Sequence, residues 1–450
     1  MIFAGGPITP IPAHGMLVFL TQLLVLLVSA RVLGGAASRL GMPNIVGELL
    51  AGVLLGPSVL AHLAPGISHW LFPPQVEQQH LIDAVGQLGV LLLVGLAGMQ
   101  LDLNQFRQRL PRAAKVSLAG LIVPLAIGVG IGYLAPTPLR PENTTPAVFA
   151  MFMGIAICVS AIPVIAKTLM ELKLTHRDVG QLILTAGMFD DAVGWFLLSL
   201  VSAMATHGLR TATVLSSLGY LLGVVAFAVV IGRPLVRRVM RRVDGDGERA
   251  KVIPAVVILL FAAAAATQAM GLEAIFGAFL CGVLIGSSGV RLTALAPLNN
   301  VVMSVLAPIF FATAGLRMDL SALLTVPLLL AALGVVTMAV VGKFLGAYIG
   351  GASSGLSRRE SIALGAGMNA RGVIEVIIAM AGLRLGVLGT EAYTILILVA
   401  VVTSLMAPPI LRWAMAGSEI TSEEARRAQR TLALAHDESD SPPLPQREAG

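Results

Sequence analysis

Charge is scarce in this chain: only 12% of its 450 residues are Asp, Glu, Lys or Arg, against 56% hydrophobic, and the mean hydropathy is +0.89. A water-soluble globular fold is excluded by such a balance, and long apolar stretches point to membrane spans. Cysteine is nearly absent. Cys158 and Cys281 both fall inside apolar segments, which argues against a disulfide framework or a cysteine metal site. The seven histidines (14, 62, 69, 80, 176, 207 and 436) lie in loops, near span ends or in the C-terminal segment. With no nucleophile–base set and no metal-ligand cluster, neither an enzyme nor a cofactor is expected. No basic segment precedes the first apolar run near Met16 and no small-residue cleavage site follows it, so it reads as a retained span rather than a signal peptide.

What is present is apolar sequence broken by Gly, Pro and charge. Thirteen helical spans are expected, at 16–37, 43–60, 82–100, 113–135, 146–170, 178–205, 209–237, 251–270, 272–288, 298–317, 323–350, 359–383 and 390–414. The membrane part is thus residues 1–417 of an all-α polytopic protein. The remainder, 418–450, is polar and Pro-tipped and reads as a disordered cytoplasmic tail. An odd number of spans puts the termini on opposite sides. With the N-terminus outside, nineteen lysines and arginines fall on the cytoplasmic side, against four (Arg140, Arg210, Arg317 and Arg384) on the outer one. The bias obeys the positive-inside rule, so the net charge of +6 is largely topological and implies no nucleic-acid partner.

Two distant stretches repeat. GMPNIVGELLAGVLLGPS (41–58) aligns without gaps to GLEAIFGAFLCGVLIGSS (271–288), with nine positions identical, and AGMQLDL (97–103) aligns to AGLRMDL (314–320) in the same order. The second and third spans therefore correspond to the ninth and tenth. An offset of seven spans reverses direction in the membrane, so the halves form an inverted-topology repeat of six helices each, the seventh connecting them. Such repeats mark secondary transporters, with the site near the midplane at the repeat interface.

The repeat pairs the fifth span with the twelfth, and each carries an oddity. The fifth, AICVSAIPVIAKTL, contains Pro163, which removes a backbone hydrogen bond and by itself marks a kink. The twelfth, LGAGMNARGVIEVI, holds Asn369, Arg371, Gly372 and Glu375. Arg371 and Glu375, one turn apart, form either an internal ion pair or part of a substrate site. Interrupted helices at matching repeat positions expose carbonyls and opposed dipoles to a binding site. Beside the fifth span, the sixth reads LTAGMFDDAVGW, with Asp190 and Asp191 at mid-depth. An ionised carboxylate there costs at least about 2.5–3.5 kcal/mol on insertion scales. Lys343, mid-span in VVGKFLGAY, can pair with one of them, but the second acid then calls for another explanation. Two adjacent carboxylates titrate as a coupled pair and can hold either a proton or a monovalent cation. Competition at one site is the logic of an antiporter. Three mid-span acids against two bases favour a cation over an anion. Exporters of another ion or small solute, channels and non-transporting membrane sensors are the rivals, but no filter motif or soluble sensor domain is visible.

The stretches GELLAGVLLGP, IPVIAKTLMELKL, MFDDAVGW and NARGVIEVI together resemble the second branch of the monovalent cation:proton antiporters. That branch includes bacterial sodium/proton antiporters, Kef-type potassium efflux systems and plant cation/proton exchangers, and the resemblance covers residues 16–414. The IPVIAKTLMELKL stretch is most similar to the plant exchangers, which usually carry Asn-Asp where this chain has Asp190-Asp191. The paired acids and Lys343 are similar to the electrogenic bacterial antiporters. The resemblance implies that Na+ or K+ binds at Asp190 and Asp191, with Asp191 the principal carrier. It implies that Asp190 is bridged to Lys343 when no cation is bound, and that Ser160 lends an oxygen at the break. Pro163, Asn369, Arg371 and Glu375 are then polar or breaking positions of two crossing interrupted helices. It further implies a homodimer in the cell membrane. Scaffold helices would lie at about 16–100 and 251–317, core helices at about 113–205 and 323–414, and a linker helix at about 209–237. The core would slide past the scaffold in an elevator motion. Kef systems carry a long nucleotide-binding domain after the membrane part. The tail here is too short for one.

Overall fold

The computed structural model describes residues 11–99, 103–207, 219, 222–245, 251–289, 292–416, 421 and 424. Among the described residues, every regular element is a helix. Of the stretches read as spans, nine coincide, among the described residues, with helical segments long and apolar enough to cross a bilayer, those at 44–63 and 296–324 being interrupted. The others take different forms. The stretch 146–170 divides into α5a (Pro146–Cys158) and α5b (Ile162–Glu171), and 359–383 into α12a (Arg358–Met368) and α12b (Val373–Arg384), bent by 42°. The stretch 272–288 is a helix of 13 residues, Ala274–Gly286. The first part of 209–237 lies outside the described residues, and its helix runs on to Gly245, past the end expected from hydropathy. The Arg-rich turn from Arg237 to Arg242 is helical, which an apolar-run reading cannot see.

The continuous helices used below are α1 (Ala13–Arg39), α2 (Asn44–Leu55), α3 (Val76–Met99), α4 (Leu103–Leu134), α6 (Asp178–His207), α8 (Val252–Ala269), α9 (Ala274–Gly286), α10 (Ala307–Leu316), α11 (Val326–Ser353) and α13 (Thr390–Met415). The stretch 222–245 is α7. Helix α1 shows why the bundle needs lipid. Val18, Gln22, Leu26, Ala30, Gly34 and Ala37 recur every three or four residues and are buried. Leu17, Leu20, Leu24, Val28 and Val32 on the other side are more than half exposed. In water that face would be a continuous apolar patch; in a bilayer it is the solvated surface.

The sequence repeat is matched in packing, contact by contact. Gly41 and Gly271 end the turns before α2 and α9 with φ of 74° and 75°, a conformation that L side chains rarely adopt. A Cβ at Gly47 would overlap the carbonyl of Leu33, and one at Gly277 that of Ala263. A Cβ at Gly52 would strike the Ala312 carbonyl, and one at Gly282 the carbonyl of Gly95. Leu33 precedes Gly47 by the same interval as Ala263 precedes Gly277. Gly95 and Ala312 stand in the same register of the AGMQLDL/AGLRMDL match. Thus α2 crosses α10 as α9 crosses α3, at positions where only glycine lets the backbones touch. This arrangement leaves α4 and α11 packed along each other, with α5a against α4 and α12a against α11. The two broken helices are brought together beside α6.

Of the segment expected to be a disordered tail, Thr421 and Glu424 are described, and Glu424 is only 4% exposed. Its Oε1 accepts the backbone N–H of Asp178 at 2.8 Å and lies 3.3 Å from Arg177 Nε; its Oε2 accepts the N–H of Thr421 at 2.9 Å. The acid therefore sits at the positive end of α6. Burial raises its pKa, but those N–H donors and Arg177 outweigh it and hold the carboxyl below its ordinary value. A lowered carboxyl contributes docking energy in full above about pH 4.3, its ordinary value, and loses it as pH falls through the lowered one. Glu424→Gln is expected to weaken this docking by about 1.5–3 kcal/mol at neutral pH. Limited proteolysis between α13 and Thr421 measures it: cleavage should be faster in the variant, and an unchanged digestion rate would contradict the docking.

Candidate functional site

The two breaks meet. Helix α5a ends at Cys158, after which Val159 (ψ 146°) and Ala161 (φ −127°, ψ 102°) run extended before α5b begins. In the twelfth span, Ala370, Arg371 and Gly372 separate the half-helices. The Ala161 N–H donates to the Ala370 carbonyl at 3.2 Å, so each broken backbone satisfies part of the other. Pro163 does not make the break. It falls in the first turn of α5b, where a missing N–H costs nothing and a fixed φ suits the helix.

Around this crossing the structure gathers several of the expected residues. Lys343 on α11 is fully buried, and its Nζ lies 2.5 Å from Asp190 Oδ2. The same ammonium donates to the Cys158 carbonyl at 2.5 Å and the Gly120 carbonyl at 2.9 Å. Cys158 ends α5a, so the lysine also neutralises the negative end of that half-helix. Ser160, 1% exposed, has its Oγ 2.8 Å from Asp190 Oδ2 and 2.8 Å from the Met368 carbonyl at the end of α12a. One hydroxyl proton serves those two acceptors. Ser117 on α4 donates to Asp190 Oδ1. Asp190 thus has a donor on each oxygen and a cation beside it, which is what an ionised carboxylate needs away from water.

Asp191 follows on α6, turned about 100° from its neighbour, and is 4% exposed. Asn369 closes α12a at its C-cap and is buried, with no hydrogen-bond partner for Oδ1 among the described residues. Arg371 and Glu375 are buried and paired, Nη1 to Oε1 at 3.3 Å, and Arg371 Nη2 donates to the Ala339 carbonyl on α11 at 2.9 Å. Arg371 lies just past the negative end of α12a and Glu375 in the first turn of α12b, so each charge meets a favourable half-helix dipole. Ser404 on α13 donates to the Arg371 carbonyl. The pair expected one turn apart is thus formed, and it is tied to α11 through Ala339.

Ser117 and the Gly120 carbonyl were not legible in the sequence. Ser117 stands in AAKVSLAGL, an ordinary apolar setting with no spacing relation to Asp190. Only the packing of α4 on α11 and α6 brings it there. The Cys158 carbonyl had a faint signal, since a break in the fifth span was expected and the residue before a break frees its carbonyl.

An all-helical bundle in which two broken helices cross beside two buried acids, one of them paired to a lysine, defines a membrane transporter of the ion-coupled kind, not an enzyme. Residues 24–417 match the family model for the sodium/hydrogen exchanger transmembrane domain, and the chain belongs to that family, within the monovalent cation:proton antiporter superfamily. It is 30% identical over 403 residues to the Na+/H+ antiporter NhaS4 of Synechocystis, covering 88% of this chain and 97% of that protein. It is 28% identical to the Na+/H+-K+ antiporter GerN of Bacillus cereus, covering 88% and 96%. The Arabidopsis thaliana Cation/H+ antiporter 17 is 28% identical over 94% of this chain, which spans about half (52%) of that longer protein. The sodium proton antiporter MjNhaP1 of Methanocaldococcus jannaschii superposes with a TM-score of 0.63 over 90% of this chain and 98% of that one, at 16% identity. That likeness concerns the fold.

Proposed function

We propose that this chain exchanges a monovalent cation, Na+ or K+, for protons at Asp190 and Asp191. The observation that carries the reading is the pairing of a fully compensated acid with a second acid beside it at the crossing of two broken helices. Asp191 binds cation and proton in alternation. Asp190 stays bridged to Lys343 until an arriving cation competes for its Oδ2, and Ser160, whose single proton is shared between Asp190 and the Met368 carbonyl, offers a lone pair to that cation. The names of the antiporter relatives support the substrate class. The protein works in the cell membrane with its N-terminus outside and C-terminus cytoplasmic, as a homodimer of thirteen-span, inverted-repeat subunits. Helices α1–α3 and α8–α10 form the scaffold, and α4–α6 with α11–α13 the core that carries the site across. The test is proton flux in vesicles of the purified protein, with Na+, K+ and Li+ added in turn. Release of lumenal protons on adding Na+ or K+ is expected; no release with any of them would reject the reading.

A further inference from the structure

Away from the acids, a second polar cluster joins the two groups of helices at one end of the bundle. Its hub is Glu273, the residue that caps α9 and is 7% exposed. Ser202, near the C-terminal end of α6, donates to Glu273 Oε1 at 2.6 Å. Arg384, the last residue of α12b, lies 3.2 Å from Glu273 Oε2 through Nη2 and donates from Nη1 to Gln87 Oε1 on α3 at 2.8 Å. Two further bonds run alongside: Tyr393 on α13 donates to the Ala314 carbonyl of α10 at 2.6 Å, and Thr394 Oγ1 accepts the Asp319 N–H at 3.1 Å. In every case one partner belongs to α6, α12b or α13, and the other to α3, α9, α10 or the segment after α10. Beneath the cluster lies a cavity of ≈ 20 Å³ lined by Val90, Phe310, Ile377 and Met380 among others, room for about one water.

Ser202 is eleven residues beyond Asp191 on the same helix, about 17 Å at 1.5 Å per residue. The cluster thus sits well to one side of the acids, at the end where the charge bias puts Arg317 and Arg384, the outer one. A contact layer joining carrier to scaffold on one side must part before the site can open to that side. The Glu273–Arg384 pair is its charged member; the glutamate side chain is 9% exposed and that of the arginine 36%, so parting it costs only a part of what a fully buried pair would.

We propose that Glu273 and Arg384 form the outer gate of the transporter, a polar lock across the core–scaffold seam whose rupture admits water to the acids from outside. The proposal rests on the alternating-access reading given above. In that cycle Ser202 and Gln87 hold the two charges in register, and the strength of the lock sets how often the outer side opens.

The test reads opening directly. Cys158 and Cys281 are free thiols, so a V90C variant of the full chain made in a C158A/C281A background offers a single reporter beneath the lock. It is labelled in right-side-out vesicles with a membrane-impermeant maleimide. E273Q and R384Q, each added to V90C, break the same lock from opposite sides, so a variant that fails to insert leaves the other to decide. Labelling is expected to be on the order of fivefold faster in either variant, and the double variant E273Q/R384Q should add little beyond one of them. An unchanged rate in both, while the V90C parent still responds to an imposed Na+ or proton gradient, overturns the gate and leaves alternating access standing. A parent rate that ignores both gradients overturns the access reading itself.

Discussion

Asp191→Asn is expected to reduce cation-driven proton release to the level of empty vesicles while the protein inserts and folds as before. Asparagine matches the volume of aspartate and is cheaper to bury than a carboxylate, so folding should not suffer. What it cannot do is lose a proton to take a cation. Without that exchange at the principal carrier, the cation and proton fluxes are expected to uncouple. The companion variant Asp190→Asn separates the roles. It leaves Lys343 with the Cys158 and Gly120 carbonyls but no counter-ion, so its effect should include loss of stability as well as of transport. Fluorescence of an acid-quenched dye in vesicles gives the flux, and size exclusion in mild detergent gives the fold. Normal exchange by well-folded Asp191→Asn protein would remove Asp191 from the carrier role.

Lys343→Gln comes second in expected effect and acts on two readouts. Asp190 would keep Ser117 and Ser160 but lose its cationic partner in a fully buried setting. Breaking a buried pair in this way costs about 3–5 kcal/mol, whereas removing both charges together is far milder. The single variant should therefore unfold in detergent at markedly lower temperature, with much of the loss recovered in the double variant Asp190→Asn/Lys343→Gln. Equal stability of the single variant and the parent would show that the bridge is not structural. The second readout is charge. If the cation that displaces the ammonium from Asp190 Oδ2 releases a proton from Lys343 as well as one from Asp191, two protons leave for one monovalent cation and the exchange is electrogenic. A membrane potential imposed on vesicles should then shift both rate and endpoint. Indifference to the potential would mean that Lys343 keeps its proton throughout and only braces the core.

The most informative expectations from sequence were those anchored in period or in cost. Apolar run lengths and the distribution of arginine are set by the thickness and polarity of the bilayer, so helices such as Ala13–Arg39 and Val326–Ser353 could be read directly. The repeat was equally legible. Gly47, Gly52 and their counterparts Gly277 and Gly282 are demanded wherever two backbones touch, and that demand leaves the same letters twice. Asp190, Asp191 and Lys343 stood out because charge in hydrocarbon is too costly to persist without a use or a partner.

Other features had no one-dimensional trace. Which acid takes the lysine was implied by the family resemblance, not by the residues themselves, since it depends on the rotation of α6 against α11. Ser117 became a ligand of Asp190 only because α4 packs between them, and a serine in an apolar helix is cheap enough to stand anywhere. Pro163 drew attention to the fifth span but lies in the first turn after the break; the break itself runs through Val159, Ser160 and Ala161, held open by a bond to Ala370 more than 200 residues away. Glu424, in a segment polar enough to look free, is docked because the end of α6 presents an N–H and Arg177 presents its charge. Sequence by itself determined that the chain crosses a membrane many times and which charges are costly there, because both follow from the cost of transfer out of water, and it carried the repeat in its letters. Tertiary structure alone decided which of those charges meet, because pairing depends on the angle and register at which helices cross, and no single helix carries that information.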